Sequence, residues 1–150
     1  MKRLLRIAVV LFLAGILIFF LYCNNLALAN EKTVSYYHML KRSLKDKGYR
    51  PGLLVVSTKR FFFHNYIQQR FSGAAKKSRH LRGDAIDFLV FDINNDGDAD
   101  SKDVDIITGI LETDIMKGKG GIGTYKNERS FLNRQMVHID CRETKGRWRR

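Results

Sequence analysis

A nearly unbroken apolar run over residues 7–22 decides how this 150-residue chain can be divided. Only Gly15 and Tyr22 interrupt it; Lys2, Arg3 and Arg6 precede it, and Ala27-Leu28-Ala29 follows. Positive residues, an apolar core and a small-x-small site, in that order, read as a secretory signal. The run is long for a signal core and slightly short for a comfortable membrane span. An uncleaved N-terminal anchor is therefore the second reading of residues 1–29. In both, the basic end stays cytoplasmic, and residues 30–150 form one domain that is exported, periplasmic or otherwise extracytoplasmic. Lipidation at Cys23 is disfavoured, because the bulky Tyr22 stands where a lipoprotein needs a small residue. A cut after Ala29 leaves Cys141 as the sole cysteine, which excludes an internal disulfide framework.

The net charge is +12; Lys2, Arg3 and Arg6 contribute three of it and residues 1–29 hold no acid, leaving +9 for the rest. A basic domain is drawn to polyanions. Outside a bacterial membrane these are cell-wall glycopeptide, teichoic acids or lipid headgroups, and export argues against nucleic acid. Much of the charge sits in the tail, residues 142–150.

Apolar spacings of three and four at Val34, Tyr37, Leu40 and Leu44 predict a helix over 31–47, closed by Gly48. Residues 53–57 form a short apolar run suited to a buried strand. Residues 61–71 are aromatic-rich, a helix or an irregular core segment. Ile86, Phe88 and Val90 alternate with Ala85, Asp87 and Leu89, predicting a strand over 85–91. A helix is expected over 102–116, a glycine-rich loop over 118–123, and a second strand over 135–140. The pattern is α+β: a small antiparallel sheet carrying the polar residues, with flanking helices.

His138 and Asp140 lie two apart on a predicted strand and so face the same way. His80 precedes the 85–91 strand and Asp87 lies within it. Side by side, the two strands can converge His80, Asp87 and His138 on one ion. Two imidazoles and a carboxylate, with a fourth position left for water, suit a hydrolytic zinc site.

The pattern Ser78-x-His80-x-x-Gly83-x-Ala85-x-Asp87, followed by Val137-His138-x-Asp140, resembles the D-alanyl-D-alanine carboxypeptidase-like zinc peptidases. That superfamily also holds lysostaphin and the hedgehog signalling domain. The murein endopeptidase branch is most similar, since Gly120-Gly121-Ile122-Gly123-Thr124-Tyr125 matches its glycine-rich segment, and Asp140, Arg142, Arg147 and Trp148 resemble its ending. The likeness covers roughly residues 53–148. It implies a hedgehog/D-Ala-D-Ala metallopeptidase-like fold, with His80, Asp87 and His138 as zinc ligands. Arg60, ending a Ser57-Thr58-Lys59-Arg60 match, would hold the scissile carbonyl or substrate carboxylate. Ser78 would support the His80 loop as a hydrogen-bond donor, and Gly83 would permit close approach of that loop. Many members carry an acid three residues before the last ligand as general base. Gln135 stands there, and an amide cannot take a proton at neutral pH. Asp140, the nearest remaining carboxylate, is assigned the base or water-orienting role.

A second metal motif occupies residues 92–103. Oxygen donors Asp92, Asn94, Asp96, Asp100 and Asp103 fall at positions 1, 3, 5, 9 and 12 of a twelve-residue calcium loop. Gly97 is at position 6, and Asp98 lies at position 7, where a backbone carbonyl can donate. An Asp at the last position resembles the calcium loops of dockerin modules. Dockerins pair two loops and this chain has one, so a structural ion near the Asp87 strand is expected.

The leading expectation is an exported zinc metallopeptidase, of murein endopeptidase or D,D-/L,D-carboxypeptidase type, acting on peptidoglycan peptides. The alternative is a non-catalytic, zinc- and calcium-stabilised domain that binds cell wall or another protein. A third is a calcium-regulated, membrane-anchored adaptor without zinc.

Overall fold

The computed structural model describes residues 2–72, 75–125 and 135–149. Strands β1 (Leu53–Ser57), β2 (Ala85–Val90), β3 (Gly121–Tyr125), β4 (Met136–Asp140) and β5 (Gly146–Arg149) form one sheet in the order β1-β2-β4-β3-β5. Helices α1 (Lys2–Cys23), α2 (Glu31–Asp46), α3 (Phe62–Ser72) and α4 (Ser101–Ile110) complete the α+β arrangement among the described residues.

The sheet is two-faced because side chains alternate along each strand. Ile86 and Phe88 of β2, Val137 and Ile139 of β4 and Ile122 of β3 enter one buried cluster with Tyr37, Leu40 and Leu44 of α2 and Val104 and Ile107 of α4. The opposite face carries Asp87, His138 and Asp140. The helices thus cover the apolar side and leave the polar residues together on the other.

The expected helix at 31–47 forms as α2, with Asn30 capping Lys32 N at 2.9 Å and Gly48 just beyond its end at φ 80°. The aromatic segment is helical, as α3. The predicted helix over 102–116 changes character at Leu111, where a π-helical stretch Leu111–Met116 carries the chain to a left-handed Lys117. Two expectations are corrected. Part of the glycine-rich loop is strand β3, and the basic tail supplies the edge strand β5. Since β5 runs parallel to β3, the sheet is mixed and not wholly antiparallel. Arginines at 147 and 149 conceal the strand in the sequence, but charged side chains are what an unpaired sheet edge favours.

Among the described residues, no helix is long and apolar enough to cross a membrane. The apolar run at 7–22 would span about 24 Å as a helix, against about 30 Å for a hydrocarbon core. Residues beyond it are docked on the domain. The Thr58 hydroxyl donates to the Asn25 carbonyl at 3.0 Å, and Asn30 N donates to the Gly83 carbonyl at 2.8 Å. Gly83 has φ 79°, and a Cβ there would lie 2.6 Å from the Leu28 carbonyl oxygen.

Loop 92–103 is held from below by Asp103, whose side chain is fully buried. Its Oδ1 accepts Ile93 N at 2.7 Å and Asn94 N at 3.2 Å, and its Oδ2 accepts Asp100 N at 2.8 Å, in a capping box with Asp100 at the start of α4. Substitution Asp103→Ala leaves the buried Ile93 amide and the part-buried Asn94 and Asp100 amides without their acceptor, so a loss of about 2–3 kcal/mol is expected in urea unfolding. A change under about 0.5 kcal/mol would show the clamp to be dispensable.

Candidate metal centre

The register of the two central strands builds the site. Asp87 of β2 pairs directly with His138 of β4, and β3 places Gly123 on the other side of His138. A bulge in β1 between Val55 and Ser57 aligns Ser57 with Asp87 and turns the following residues over the site. His80 enters from the 3-10 turn Arg79–Arg82, which Gly83 closes in the left-handed region. Donor atoms of His80, Asp87 and His138 all lie within 4.8 Å of one another, and all three residues are buried. Among the described residues this is the one group of at least three His, Cys, Asp or Glu so gathered.

Hydrogen bonds at the back of each imidazole set its tautomer. His80 Nδ1 lies 2.6 Å from the Thr58 carbonyl, which can only accept, so Nδ1 carries the proton and Nε2 a lone pair. His138 lies between two carboxylates, with Nε2 3.3 Å from Asp140 Oδ2 and Nδ1 facing Asp87; with Nε2 donating to Asp140, Nδ1 is the nitrogen that would present a lone pair to an ion. His80 Nε2 and His138 Nδ1 sit 3.2 Å apart. His80 Nε2 is 3.1 Å from Asp87 Oδ2, and His138 Nδ1 is 2.7 Å from Asp87 Oδ1. Two imidazole nitrogens and a carboxylate facing one point are a donor set that could hold a cation, which would take the place of the proton His138 shares with Asp87. Ligating histidines are oriented in this way by carbonyls and carboxylates behind them.

The site's charges are strongly biased. Burial disfavours the Asp87 anion, but His80, Arg60 and His138 outweigh it and hold the carboxyl well below its usual range. Burial lowers His80. In His138 burial acts in the same direction but is overcome by bonds to Asp140 and Asp87, so its pKa is raised.

Arg60 is brought to the triad. It is paired with Asp87 Oδ2, and its Nε donates to Ser57 Oγ at 2.8 Å. Asp140 is fully buried, and Arg142 grips it: Nε donates to Oδ1 at 2.8 Å, Nη2 to Oδ2 at 2.6 Å and the backbone N to Oδ1 at 3.0 Å. Burial opposes its charge, but His138 and Arg142 keep it far below the ordinary carboxylate range. Both oxygens are engaged, which suits orienting His138 better than taking a proton. Ser78 supports the His80 turn through its carbonyl, which accepts Leu81 N at 3.1 Å, while its hydroxyl makes no cap bond. The orienting partner of His80 is instead the Thr58 carbonyl, which no sequence pattern identifies because any residue can supply it.

Gln135, at the position of the missing acid, takes a left-handed φ of 56° just before β4, and its side-chain oxygen is buried without a partner among the described residues. Cys141 is a half-buried free thiol outside the triad. A cleft of about 680 Å³ beside α4, lined by Glu112, Lys145 and Arg147 among others, does not contain the triad.

The calcium-motif residues make the turns such a loop needs. Asp92 accepts Asp96 N at 3.2 Å and Gly97 N at 3.1 Å, Asn94 accepts Asp96 N at 3.0 Å, and Asp96 accepts Asp98 N at 3.1 Å. Gly97 has φ 95°, as position 6 requires. Asp100 and Asp103 are occupied as helix caps, and the loop carboxylates are not gathered as closely as the triad.

No family model, curated protein or solved structure matches the chain.

The glycines of β3 follow from crowding on the site face. A Cβ at Gly121 would overlap the Asp140 carboxylate, and one at Gly123 would overlap the Trp148 indole. Trp148 packs on His138 with ring centroids 5.0 Å apart. Substitution Gly123→Ala is expected to displace Trp148, destabilise by about 1–3 kcal/mol and alter the fluorescence of this sole tryptophan. Unchanged emission and stability would contradict the packing.

Proposed function

We propose that this chain is an exported zinc metallopeptidase that hydrolyses peptide bonds in peptidoglycan, in cross-links or stem peptides. The observation that carries the reading is the buried group of His80, Asp87 and His138, whose donor atoms lie within 4.8 Å of one another and whose imidazoles are held from behind by the Thr58 carbonyl and Asp140. Three such donors fit a hydrolytic zinc site and leave a position open. When bound there, zinc supplies an electrophile for the scissile carbonyl and acidifies a water.

The chain's own residues then have distinct tasks. The Thr58 carbonyl and Asp140 hold the two imidazoles in their ligating tautomers. Arg142 fixes Asp140 and keeps it ionised. Arg60 steadies Asp87 and, with 12% of its side chain exposed, offers a cation to the substrate carbonyl or carboxylate, where a preorganised charge stabilises developing negative charge. The resemblance to murein endopeptidases and the basic surface supply the substrate class. In this reading Asp140 orients and does not act as the base.

Purified His80→Ala and His138→Ala proteins are expected to lose zinc and to release no peptides from wall sacculi, read by metal analysis and mass spectrometry of digests. Asp140→Asn should keep the fold but bind zinc about 10–100-fold more weakly. Full hydrolysis by either histidine variant would overturn the assignment.

Gln135 and the fully engaged Asp140 favour a second reading, a non-catalytic domain that binds wall or protein around the same metal. Stoichiometric zinc with intact sacculi would select it.

Loop 92–103 is proposed to hold a structural calcium through Asp92, Asn94, Asp96, Asp98 and Asp100, above the Asp103 clamp. Calcium chelation is expected to lower the melting temperature and weaken zinc binding through the neighbouring β2; a melting curve and zinc affinity unmoved by chelation would remove calcium from the account.

The N-terminal segment is proposed to remain attached and to hold the domain at a membrane, its short apolar run being accommodated by local thinning of the bilayer and not by a full-length span. Leu26 and Ala29 pack against the core, and Asn25 and Leu28 contact the loops that carry Thr58 and Gly83. Cleavage after Ala29 would strip those contacts. Intact-mass analysis of membrane-extracted protein should retain residues 1–29.

A further inference from the structure

Helix α3 has its polarity reversed for a domain surrounded by water. Its inward-facing residue is Asn65, 1% exposed, which donates to the Ala75 carbonyl at 3.3 Å. On the outside lie Phe62 and Phe63, 78% and 72% exposed, with Tyr66 and Ile67 at 48% and 38%. Phe61, just before the helix, is 53% exposed. Scattered exposed apolar side chains are ordinary, but five adjoining ones form a patch that marks an interaction surface.

Two observations identify what covers it. The patch is continuous with the end of α1: Phe61 stacks on Tyr22 with centroids 4.4 Å apart, and His64 meets Phe19 edge-on at 5.1 Å. It also lies in a segment with no Asp or Glu between Asp46 and Asp84, where Lys59, Arg70, Lys76 and Lys77 flank the aromatics. Arg70 lies over the Tyr66 ring at 6.0 Å. Aromatic residues at the end of an apolar helix, bordered by basic side chains, match a bilayer interface with anionic headgroups. An anchor with a short apolar run also draws its domain towards the bilayer.

We propose that α3 is a membrane-docking helix whose Phe61, Phe62, Phe63, Tyr66 and Ile67 enter the interface of an anionic lipid bilayer. This rests on the reading of α1 as a retained anchor. It places Arg60 and the metal centre directly at the lipid surface, so the accessible peptides are those near or attached to the membrane.

The test uses the full chain carrying Phe62→Trp, reconstituted into phosphatidylethanolamine–phosphatidylglycerol vesicles with or without brominated acyl chains. The wild-type protein reports Trp148 alone as the reference. The expected result is flotation with the vesicles, resistance to alkaline carbonate, and loss of the added tryptophan's emission in brominated lipid well beyond any loss shown by Trp148 alone in the wild type. Flotation and carbonate resistance without quenching overturn the docking of α3 and leave the anchor intact; a blue-shifted but unquenched signal then indicates a second copy or another protein on the patch. Quenching in a chain that carbonate strips off supports docking and overturns the anchor. Failure to float overturns both.

Discussion

The direct pairing of Asp87 with His138 across β2 and β4 is the constraint on which the site depends. Antiparallel partners on one face bring side chains within reach, here an imidazole nitrogen and a carboxylate oxygen at 2.7 Å. A one-residue slip of β4 against β2 would turn His138 and Asp140 towards the helices and bring Val137 and Ile139 out. The hydrophobic face made by Ile86, Phe88, Val137 and Ile139 therefore fixes the metal face as well. Burying those residues against α2 and α4 is what keeps the donors in register.

Around that pair the structure spends its hydrogen bonds on orientation. Each imidazole is held at the nitrogen remote from the site, by a carbonyl for His80 and by a carboxylate for His138. Arg142 then fixes the carboxylate, and β3 gives it room with Gly121, while Gly123 makes room for Trp148 against His138. Behind the three donors lies a buried support shell, the arrangement that gives a ligand set its geometry before any ion arrives.

The N-terminal part connects to the same centre. Thr58 orients His80 with its carbonyl and bonds Asn25 with its hydroxyl, while Gly83 ends the His80 turn against the Leu28 carbonyl. The segment after α1 is thus part of the scaffold of the site. The outward-facing aromatics of α3 follow Arg60 directly, and Arg60 in turn pairs with Asp87 of the donor group.

Much of this was legible in the residues alone. Period-two alternation over 85–90 and 136–140 and the i, i+3/i+4 spacing in α2 identify elements, because burial on one side imposes a period. His80, Asp87 and His138 stood out as a donor set, and Arg60 came with them through the family resemblance. What the residues could not express is contact between distant parts of the chain. The orienting role of Thr58 is played by a backbone carbonyl, which leaves no mark on residue type. Asp140 reads equally well as a base or a structural carboxylate until Arg142 is seen to fill its oxygens. The strand at 146–149 is masked by its arginines and exists because β3 offers it an edge. Local patterns determine which segments are helix or strand and which side chains can ligate; only the tertiary structure decides which of them meet, since strand register and burial are properties of the packed whole.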